Sequence, residues 1–170
     1  MKSKLVLTFA LLCVLPAWAN ARSVQSPDGK FVVEVGSNRS VLKDRAGHTL
    51  AELEPDIGAP HMKVQVMWAP DSKSVALAID DKRATMVSLG WQTADEKWLS
   101  KSDSDDMVLR AEKEVGGRTV YEQRKLLAWK GPALEIEGEL ATTANQGYHY
   151  TYVDRVIENE VVSSGFHSAK

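Results

Sequence analysis

Three tyrosines at alternate positions are the residues of this sequence whose type and spacing best suit binding. Tyr148, Tyr150 and Tyr152 would share one face of a β-strand, because successive strand side chains point to opposite faces. Aromatic rings in a row can stack on sugars or receive the apolar surface of a partner, while their hydroxyls add hydrogen bonds. Together with Trp91 and Trp98, which are predicted to lie in a loop, they form a candidate binding surface. Cross-strand packing inside the sheet is the competing interpretation.

Three glutamates at alternate positions form a second candidate site. Glu135, Glu137 and Glu139 alternate with small and apolar residues, so a strand would place them on one face, about 7 Å from one to the next. Paired carboxylates separated by roughly 5–9 Å can hydrolyse glycosidic bonds by acid/base catalysis. A solvated outer face of a sheet gives the same pattern, and such a face would also suit a cation or a basic partner.

An acidic group stands at the start of a segment rich in helix formers. Asp103, Asp105 and Asp106 precede or begin this segment, and acids in a first turn complement the positive end of the helix dipole. Because Gly116-Gly117 supplies a stop, the pattern predicts a helix over about 104–115, with a further strand as the alternative. Calcium binding by the same acids would need the central glycine and final glutamate of the twelve-residue calcium loop, which are missing. Helix capping is therefore the preferred interpretation.

The other residue types that commonly perform chemistry show no catalytic spacing. The sequence contains no Gly-x-Ser-x-Gly, no His-Glu-x-x-His, no phosphate-binding glycine loop and no Cys-x-x-Cys. We therefore predict no catalytic residue, no metal site and no cofactor. Four histidines are scattered along the chain without the spacing of zinc ligands: His48, His61, His149 and His167.

Composition limits the classes of partner. The chain has 170 residues with 21 basic and 23 acidic side chains, for a formal net charge of −2. This near balance gives no basic face of the kind that nucleic acid requires, so no nucleic-acid partner is predicted. The length suits one domain with its own apolar core.

The first 21 residues have the three-part layout of a secretory signal peptide. Lys2 and Lys4 precede an apolar run over residues 5–15, and small residues follow at Ala19 and Ala21. Cleavage after Ala21 is favoured, which predicts a periplasmic or secreted protein without a membrane span. A retained anchor is the alternative, although the run is shorter than the roughly 20 residues of a comfortable span. Cys13, the single cysteine, lies in this run, so the mature protein would contain no thiol.

One turn sequence occurs twice and organises the elements that would position these residues. Ser26-Pro27-Asp28-Gly29-Lys30 returns as Ala69-Pro70-Asp71-Ser72-Lys73, and an apolar run with period-two alternation follows each copy. Proline sets φ for a tight turn, and aspartate bonds the backbone two residues on. Each copy therefore predicts a turn that leads into a β-strand. The two prolines stand 43 residues apart.

These two copies resemble the WD40-like β-propeller repeats of TolB-type periplasmic proteins, over residues 24–90. In those repeats a Ser-Pro-Asp-Gly-Lys turn opens a strand of each blade, and Trp68-Ala69-Pro70-Asp71-Ser72-Lys73 is similar to the related Trp-Ser-Pro-Asp-Ser pattern. The 43-residue offset matches the blade length of about 40–45 residues. The resemblance implies two blade-like meanders and carries no activity with it. A complete propeller is not expected, because it needs at least four blades.

The predicted fold is therefore mainly β, with antiparallel meanders that resemble two propeller blades, a C-terminal antiparallel sheet and one helix. Residues 22–170 are predicted to form a single domain. Within it, 22–90 contain the two repeats, 91–120 a loop and the helix, 121–163 the C-terminal strands and 164–170 a frayed tail. The third strand of the first repeat, from His48 to Leu53, is expected to point Leu50 and Leu53 inward.

The sequence favours a non-enzymatic exported protein that binds or supports a protein partner in the cell envelope. Two alternatives remain open: a small periplasmic hydrolase that uses carboxylates such as the three glutamates, and an inhibitor of another secreted protein. Because blade-like meanders leave open sheet edges, a homodimer that extends a sheet is also predicted.

Overall fold

The computed structural model describes residues 23–36, 39–53, 62–144 and 147–169. The predicted leader, His61 and the loop over 54–60 lie outside the described residues. Twelve strands and one helix lie within these ranges. In chain order they are β1 Ser23–Gln25, β2 Phe31–Val35, β3 Ser40–Asp44, β4 Thr49–Leu53, β5 Lys63–Trp68, β6 Ser74–Asp80, β7 Thr85–Gln92, β8 Trp98–Ser102, α1 Asp106–Val115, β9 Thr119–Lys130, β10 Ala133–Thr142, β11 Tyr148–Ile157 and β12 Glu160–Ala169.

The strands form three four-stranded antiparallel sheets. The first sheet has the order β1-β2-β3-β4, the second β5-β6-β7-β8 and the third β12-β11-β10-β9. Each sheet is a meander, since consecutive strands of the chain are neighbours. The mainly β class is thus confirmed, and the described residues form neither a closed barrel nor a complete propeller.

The duplicated turns connect the first two strands of the first and second sheets. The Lys30 amide donates to Asp28 Oδ1 (3.1 Å), and the Lys73 amide donates to Asp71 Oδ1 (2.9 Å). Gly29 and its counterpart Ser72 both have positive φ, +72° and +61°, the region that glycine enters without a steric cost. The prediction of a turn that leads into a strand is confirmed for both copies.

The second sheet lies between the other two and is buried on both faces. On β6, Val75, Leu77 and Ile79 pack against the first sheet, while Ala76 and Ala78 face the third sheet. Each of these five side chains is at most 4% exposed. Burial of one large aliphatic side chain contributes roughly 1.5–3 kcal/mol, so β6 is a main source of stability for both interfaces.

Helix α1 confirms the predicted helix at about 104–115. It packs on β10, β11 and β12 of the third sheet and places Ala111, which is fully buried, in the core shared with the second sheet. The amide of Gly116 donates to the carbonyl of Glu112 at 2.8 Å and closes the last turn. The structure excludes the alternative of a strand at this position.

Three segments differ from the prediction. Residues 98–102, expected in a loop, form β8, whose backbone pairs with β7 from Ser88 to Gln92. The predicted tail over 164–170 is wrong up to residue 169, because β12 pairs with β11 through a register shift between Thr151 and Val153. The bulge breaks the strict alternation by which the strand would have been recognised. The short β1 ahead of the first turn was also not predicted.

The inward position of Leu50 is the remaining error in the first sheet. Leu53 is 3% exposed as predicted, but Leu50 is 37% exposed. Residues three apart point to opposite faces of a regular strand, since side chains alternate with period two. Because Leu53 faces the core, Leu50 faces solvent. Leu50 also lies at a register shift, since Leu42 pairs with Ala51 and Lys43 with Thr49, and it stands opposite no residue.

Candidate functional site

The inner face of the third sheet carries a group of buried charged side chains, which we call the buried polar cluster. Strand β9 contributes Glu122 and Arg124, and β11 contributes Tyr152 and Asp154. Asp103 enters from the segment between β8 and α1. The side chains of all its members are buried: Glu122, Arg124, Tyr152, Asp154 and Asp103.

Arg124 is the cation of the buried polar cluster. Its Nη1 donates to Asp103 Oδ2 at 2.9 Å, and its Nη2 lies 3.3 Å from Asp105 Oδ1 at the start of α1. Its Nε donates to the Thr85 carbonyl of β7 at 2.9 Å. Glu122 Oε1 is at an ion-pair distance of 2.9 Å from the same Nε but receives no hydrogen bond. Arg124 thus connects the third sheet to both β7 and the helix start.

Asp103 and Asp154 are bridged by one hydroxyl. Ser163 Oγ on β12 lies 2.8 Å from Asp103 Oδ1 and 2.6 Å from Asp154 Oδ1. The hydroxyl of Tyr152 donates to Asp103 Oδ2 at 2.7 Å. Asp154 Oδ2 has no hydrogen-bond partner. Asp103 is therefore well supplied with donors, and Asp154 is not.

The pKa values of the buried carboxyl groups reflect this difference in hydrogen bonding. Burial, with a further contribution from the charge of Asp103, raises the pKa of Asp154 to about 7. Burial also raises the pKa of Asp103, although the Tyr152 hydroxyl and Arg124 oppose the shift. The pKa of Glu122 is raised mainly by burial and lowered in part by Arg124. Carboxyl groups in this setting keep their protons to higher pH than they would in water.

The tyrosine stripe, which consists of Tyr148, Tyr150 and Tyr152, lies on one face of β11 as predicted, but that face is the inner one. Tyr150 and Tyr152 are 0% and 1% exposed, and the ring centroids of neighbouring tyrosines are 6.4 and 6.1 Å apart. Phe166 of β12 stacks on Tyr150 at 5.4 Å. The partly exposed Tyr148 donates its hydroxyl to Glu114 Oε2 of α1 at 2.6 Å. These contacts agree with the packing interpretation, and a binding role for the stripe stays a prediction.

The two tryptophans do not lie in a loop. Trp91 is on β7 and Trp98 on β8, and they are 5% and 7% exposed. Trp91 belongs to the core between the second and third sheets, whereas Trp98 belongs to the core between the first and second. The two side chains thus lie on opposite faces of the second sheet and do not combine with the tyrosines into one exposed surface.

The three glutamates of β10 face away from the core, as the alternation predicts, and are partly exposed. Glu137 lies opposite Lys125 and Thr151, and Glu139 opposite Gln123 and His149. None of the three lines either the cleft of about 600 Å³ or the cleft of about 510 Å³ in the described part of the chain. Their position is that of an outer sheet face.

The predicted capping role of the acids before α1 is only partly right. Asp106 lies in the first turn, where its charge favours the helix dipole, but the Ncap residue Asp105 makes no side-chain capping hydrogen bond. Asp103 is instead buried against Arg124. Asp103 therefore pairs with a buried guanidinium, a role that its sequence position did not indicate.

A second feature with functional geometry is a cleft of about 600 Å³ at the duplicated turns. The amide of Asp28 donates to Ser72 Oγ at 3.1 Å and joins the two turns directly. Trp68 Nε1 adds a hydrogen bond to the Val24 carbonyl at 3.2 Å. The β7–β8 turn closes one side of the cleft. Charged side chains from both turns and from this third turn line it: Asp28, Lys30, Asp71, Lys73 and Glu96.

The described residues include neither a cluster that could bind a metal ion nor a helix that could span a membrane. Among them, no three histidine, cysteine, aspartate or glutamate side chains converge in a way that could hold a metal ion. His48 Nδ1 lies 2.9 Å from Asp44 Oδ2. The same residues include no helix of the length and apolarity needed to cross a bilayer.

The buried polar cluster was missed at the level of sequence, although part of its signal is present. Glu122 and Arg124 alternate with outward residues and share the face of the buried Leu126. Asp154 likewise continues the face of Tyr150 and Tyr152. Charged residues in phase with a buried strand face indicate an interior ion pair. The contributions of β12 and of the segment after β8 could not be found, because they depend on contacts between distant parts of the chain.

A scan of the chain against protein-family models matches no family, and a search of curated proteins gives no significant match.

Proposed function

We propose that this chain is an exported, non-catalytic protein that binds a polypeptide partner in the cell envelope through the cleft at its duplicated turns. The observation that carries the proposal is the cleft itself, about 600 Å³ in volume and built from two copies of one turn. Pockets of several hundred Å³ are of the size that ligands and side chains occupy.

The construction of the cleft supports binding by a preorganised surface. In both turns the lysine amide donates a hydrogen bond to the turn aspartate. The two turns are joined by the hydrogen bond from the Asp28 amide to Ser72. A surface that is already ordered loses little conformational entropy when a partner binds.

The charges around the cleft suggest the kind of partner. Lys30 and Lys73 project from equivalent positions of the two turns, and three acidic side chains lie among them. One oxygen of each turn aspartate is already engaged by a backbone amide, and the Lys30 side chain, which is 74% exposed, lies 3.4 Å from the other oxygen of Asp28. A mixed-charge rim fits a polypeptide segment with both signs of charge better than a polyanion.

The expected location rests on the sequence of the leader. Lys2, Lys4 and the apolar run over residues 5–15 favour export to the periplasm or beyond. Expression of the whole chain, followed by N-terminal sequencing of the exported form, tests this part. A new terminus at Arg22 is the expected result, and retention of Met1 in the membrane fraction would contradict it.

The binding part is tested by capture from envelope extract with a matched set of variants. Lys30→Glu combined with Lys73→Glu reverses both cations of the cleft, and Lys125→Glu makes one equivalent change on the exposed outer face of the third sheet. We expect a stoichiometric partner with the unmodified protein and with Lys125→Glu, and loss of that partner with the double variant. Equal recovery by all three proteins would exclude the cleft as the binding surface. An enzyme as the captured partner would favour the inhibitor version.

A carboxylate-dependent hydrolase is the second candidate, and the buried polar cluster is the observation that favours it. Asp103 and Asp154 lie close together with unequal hydrogen bonding, a feature of acid/base pairs. Both side chains are fully covered, so a substrate would need the third sheet to move. Hydrolysis of glycoside or peptide substrates that is lost in Asp154→Asn and kept in Asp95→Asn would support this candidate over the binding protein.

The proposal also includes a homodimer, in which an open sheet edge of one copy pairs with that of another. Strand β12 is an edge of the third sheet and β1 is an edge of the first, and unpaired edges readily accept a further strand. Light scattering after size exclusion is expected to give twice the monomer mass. A monomer at all concentrations would remove the dimer without affecting the proposed cleft.

A further inference from the structure

One guanidinium and three carboxyl groups are buried together between the second and third sheets. The side chains of Arg124 and Glu122 are each 5% exposed, and those of Asp103 and Asp154 are fully covered. If all four were ionised, the group would carry two uncompensated negative charges away from water. Such charges cost several kcal/mol each, so proteins neutralise them by holding protons.

The position of Ser163 shows where one proton is held. Its Oγ lies within hydrogen-bond distance of Asp103 Oδ1 and Asp154 Oδ1, at 2.8 and 2.6 Å. A hydroxyl has a single proton and can donate to only one of the two. The other contact is a hydrogen bond only when that carboxyl donates its own proton to Ser163.

The remaining hydrogen bonds assign this proton to Asp154. Asp103 Oδ2 already accepts from Arg124 Nη1 and from the Tyr152 hydroxyl, which favours the ionised form of Asp103. Asp154 Oδ2 accepts nothing. The consistent arrangement is therefore a chain in which Asp154 donates to Ser163 Oγ and Ser163 donates to Asp103 Oδ1.

The three residues lie on three separate elements. Asp103 follows β8 of the second sheet, Asp154 is on β11 and Ser163 is on β12 of the third. Loss of the proton would leave two carboxylates on either side of one hydroxyl, with one hydrogen bond fewer. Repulsion would then act directly between the second and third sheets.

We propose that Asp154, Ser163 and Asp103 form a proton-dependent contact that holds the third sheet against the end of the second while one proton is bound and weakens this contact when the proton is lost.

The charged and titratable groups around the contact include one buried cation and an excess of buried acids. Strand β9 contributes Glu122 and Arg124, and β11 contributes Tyr150 and Tyr152. Asp105 at the helix start is 74% exposed and is screened by water. Between β8 and β12, Lys101 and Glu160 form an exposed ion pair that is neutral as a unit. Burial and the charge of Asp103 together raise the pKa of Asp154 to about 7.

The sign of the pH effect follows from linkage. Because the pKa of Asp154 is raised to about 7 from a reference value of 3.8, the folded protein binds the proton more tightly than the unfolded chain does. The contribution of this group to stability is complete below the reference pKa and is lost as pH rises towards the folded-state pKa. Between these values the folded-to-unfolded ratio should fall about tenfold per pH unit on account of this group.

The test compares urea unfolding of the full chain and two variants from pH 5 to pH 8. Asp154→Asn keeps a donor towards Ser163 but cannot ionise, and Glu137→Gln removes one acid from the outer face of the same sheet as a matched control. The quantity compared is the folding equilibrium constant of Asp154→Asn divided by that of the unmodified protein. We expect this ratio to rise about tenfold per pH unit and to level off above about pH 7. The control should show no such trend. A ratio for Asp154→Asn that is independent of pH overturns the proposal.

Two measurements on the unmodified protein keep the test decisive if Asp154→Asn folds poorly. Carboxyl carbon shifts followed by NMR should show that Asp154 titrates near neutral pH, whereas titration of both Asp103 and Asp154 below pH 5 overturns the shared proton. Amide exchange, corrected for its intrinsic pH dependence, should accelerate in β12 above pH 7. An equal acceleration in all three sheets would contradict a local contact.

Discussion

The two faces of the second sheet form interfaces of different chemistry. Towards the first sheet, aliphatic side chains surround three aromatic rings, and the Trp98 ring lies 5.1 Å from Phe31 and 6.0 Å from Trp68. Towards the third sheet, a comparable aliphatic core continues into the buried polar cluster around Arg124. The first interface depends mainly on burial of apolar surface, which has little pH dependence. The second adds groups that are stable only when each has its partner or its proton.

The second sheet has side chains of different size on its two faces. Along β6, large side chains face the first sheet and alanines face the third, where α1 also enters the core. The smaller side chains leave room for the helix and for the rings of β11. The predictions below test whether the two interfaces respond as differently as their chemistry requires.

The largest effect is expected for Arg124→Met. This change leaves Asp103 and Glu122 buried without a cation, and loss of one partner of a buried ion pair costs about 3–5 kcal/mol. Urea unfolding at pH 7 measures it. Arg39→Met is the matched control, because Arg39 pairs with Glu52 on the surface, where its side chain is 65% exposed. A similar small loss in both variants would mean that the buried polar cluster contributes no more than a surface ion pair.

A slightly smaller loss is expected for Leu77→Ala in the apolar interface. Leu77 is 1% exposed, and its truncation should cost about 3 kcal/mol through lost burial and an unfilled cavity. The cost should be the same at pH 5 and pH 8, since Leu77 packs among apolar side chains. Leu109→Ala on α1, where the side chain is 57% exposed, should change stability little. A strong pH dependence of the Leu77→Ala loss would erase the distinction between the interfaces.

Two neighbouring tyrosines should respond in opposite directions to loss of the hydroxyl. Tyr152→Phe removes the hydrogen bond to Asp103 and should cost about 1.5–3 kcal/mol, the range for bonds to charged groups. Tyr150→Phe removes a buried hydroxyl that has no partner and should stabilise the protein by about 1 kcal/mol. Thermal unfolding of both variants measures the two changes in stability. Equal losses would show that the Tyr150 hydroxyl is bonded in solution.

The smallest effect is expected at the junction of the two turns. Ser72→Ala removes the acceptor of the Asp28 amide, and a net loss of about 1 kcal/mol is expected for one hydrogen bond. Ser74→Ala, two residues along the chain at the start of β6, serves as the control. A loss above that of Leu77→Ala would mean that the duplicated turns, rather than the sheet interfaces, dominate stability.

The accuracy of the sequence interpretation depended on the range of the interactions involved. The duplicated turns were predicted because proline, aspartate and the residue after it act within five positions. Strand β10 was predicted because Leu134, Ile136 and Leu140 alternate with outward residues. Strand β8 and the part of β12 after residue 163 were not predicted, since β8 has little alternation and β12 contains a bulge. Both are strands because a partner strand satisfies their backbone groups.

The candidate sites illustrate the same limit. Alternation placed Tyr150 and Tyr152 on one face but could not tell whether that face was exposed, and the structure buries both. It also placed Glu122 and Arg124 in phase with Leu126, although nothing local indicates that Asp103 would be their partner. Pairing of charges from separate elements is decided only when the sheets pack.

The amino-acid sequence by itself determined the β class, the single helix and the two turns, because each depends on side chains and dihedral preferences within a few residues. Only the tertiary structure decided which strand faces are buried and that Asp103, Asp154 and Ser163 meet. The physical reason is that burial and charge pairing depend on residues far apart in the chain, such as Asp103 and Ser163, which are 60 positions apart, and their approach is set by the packing of three sheets.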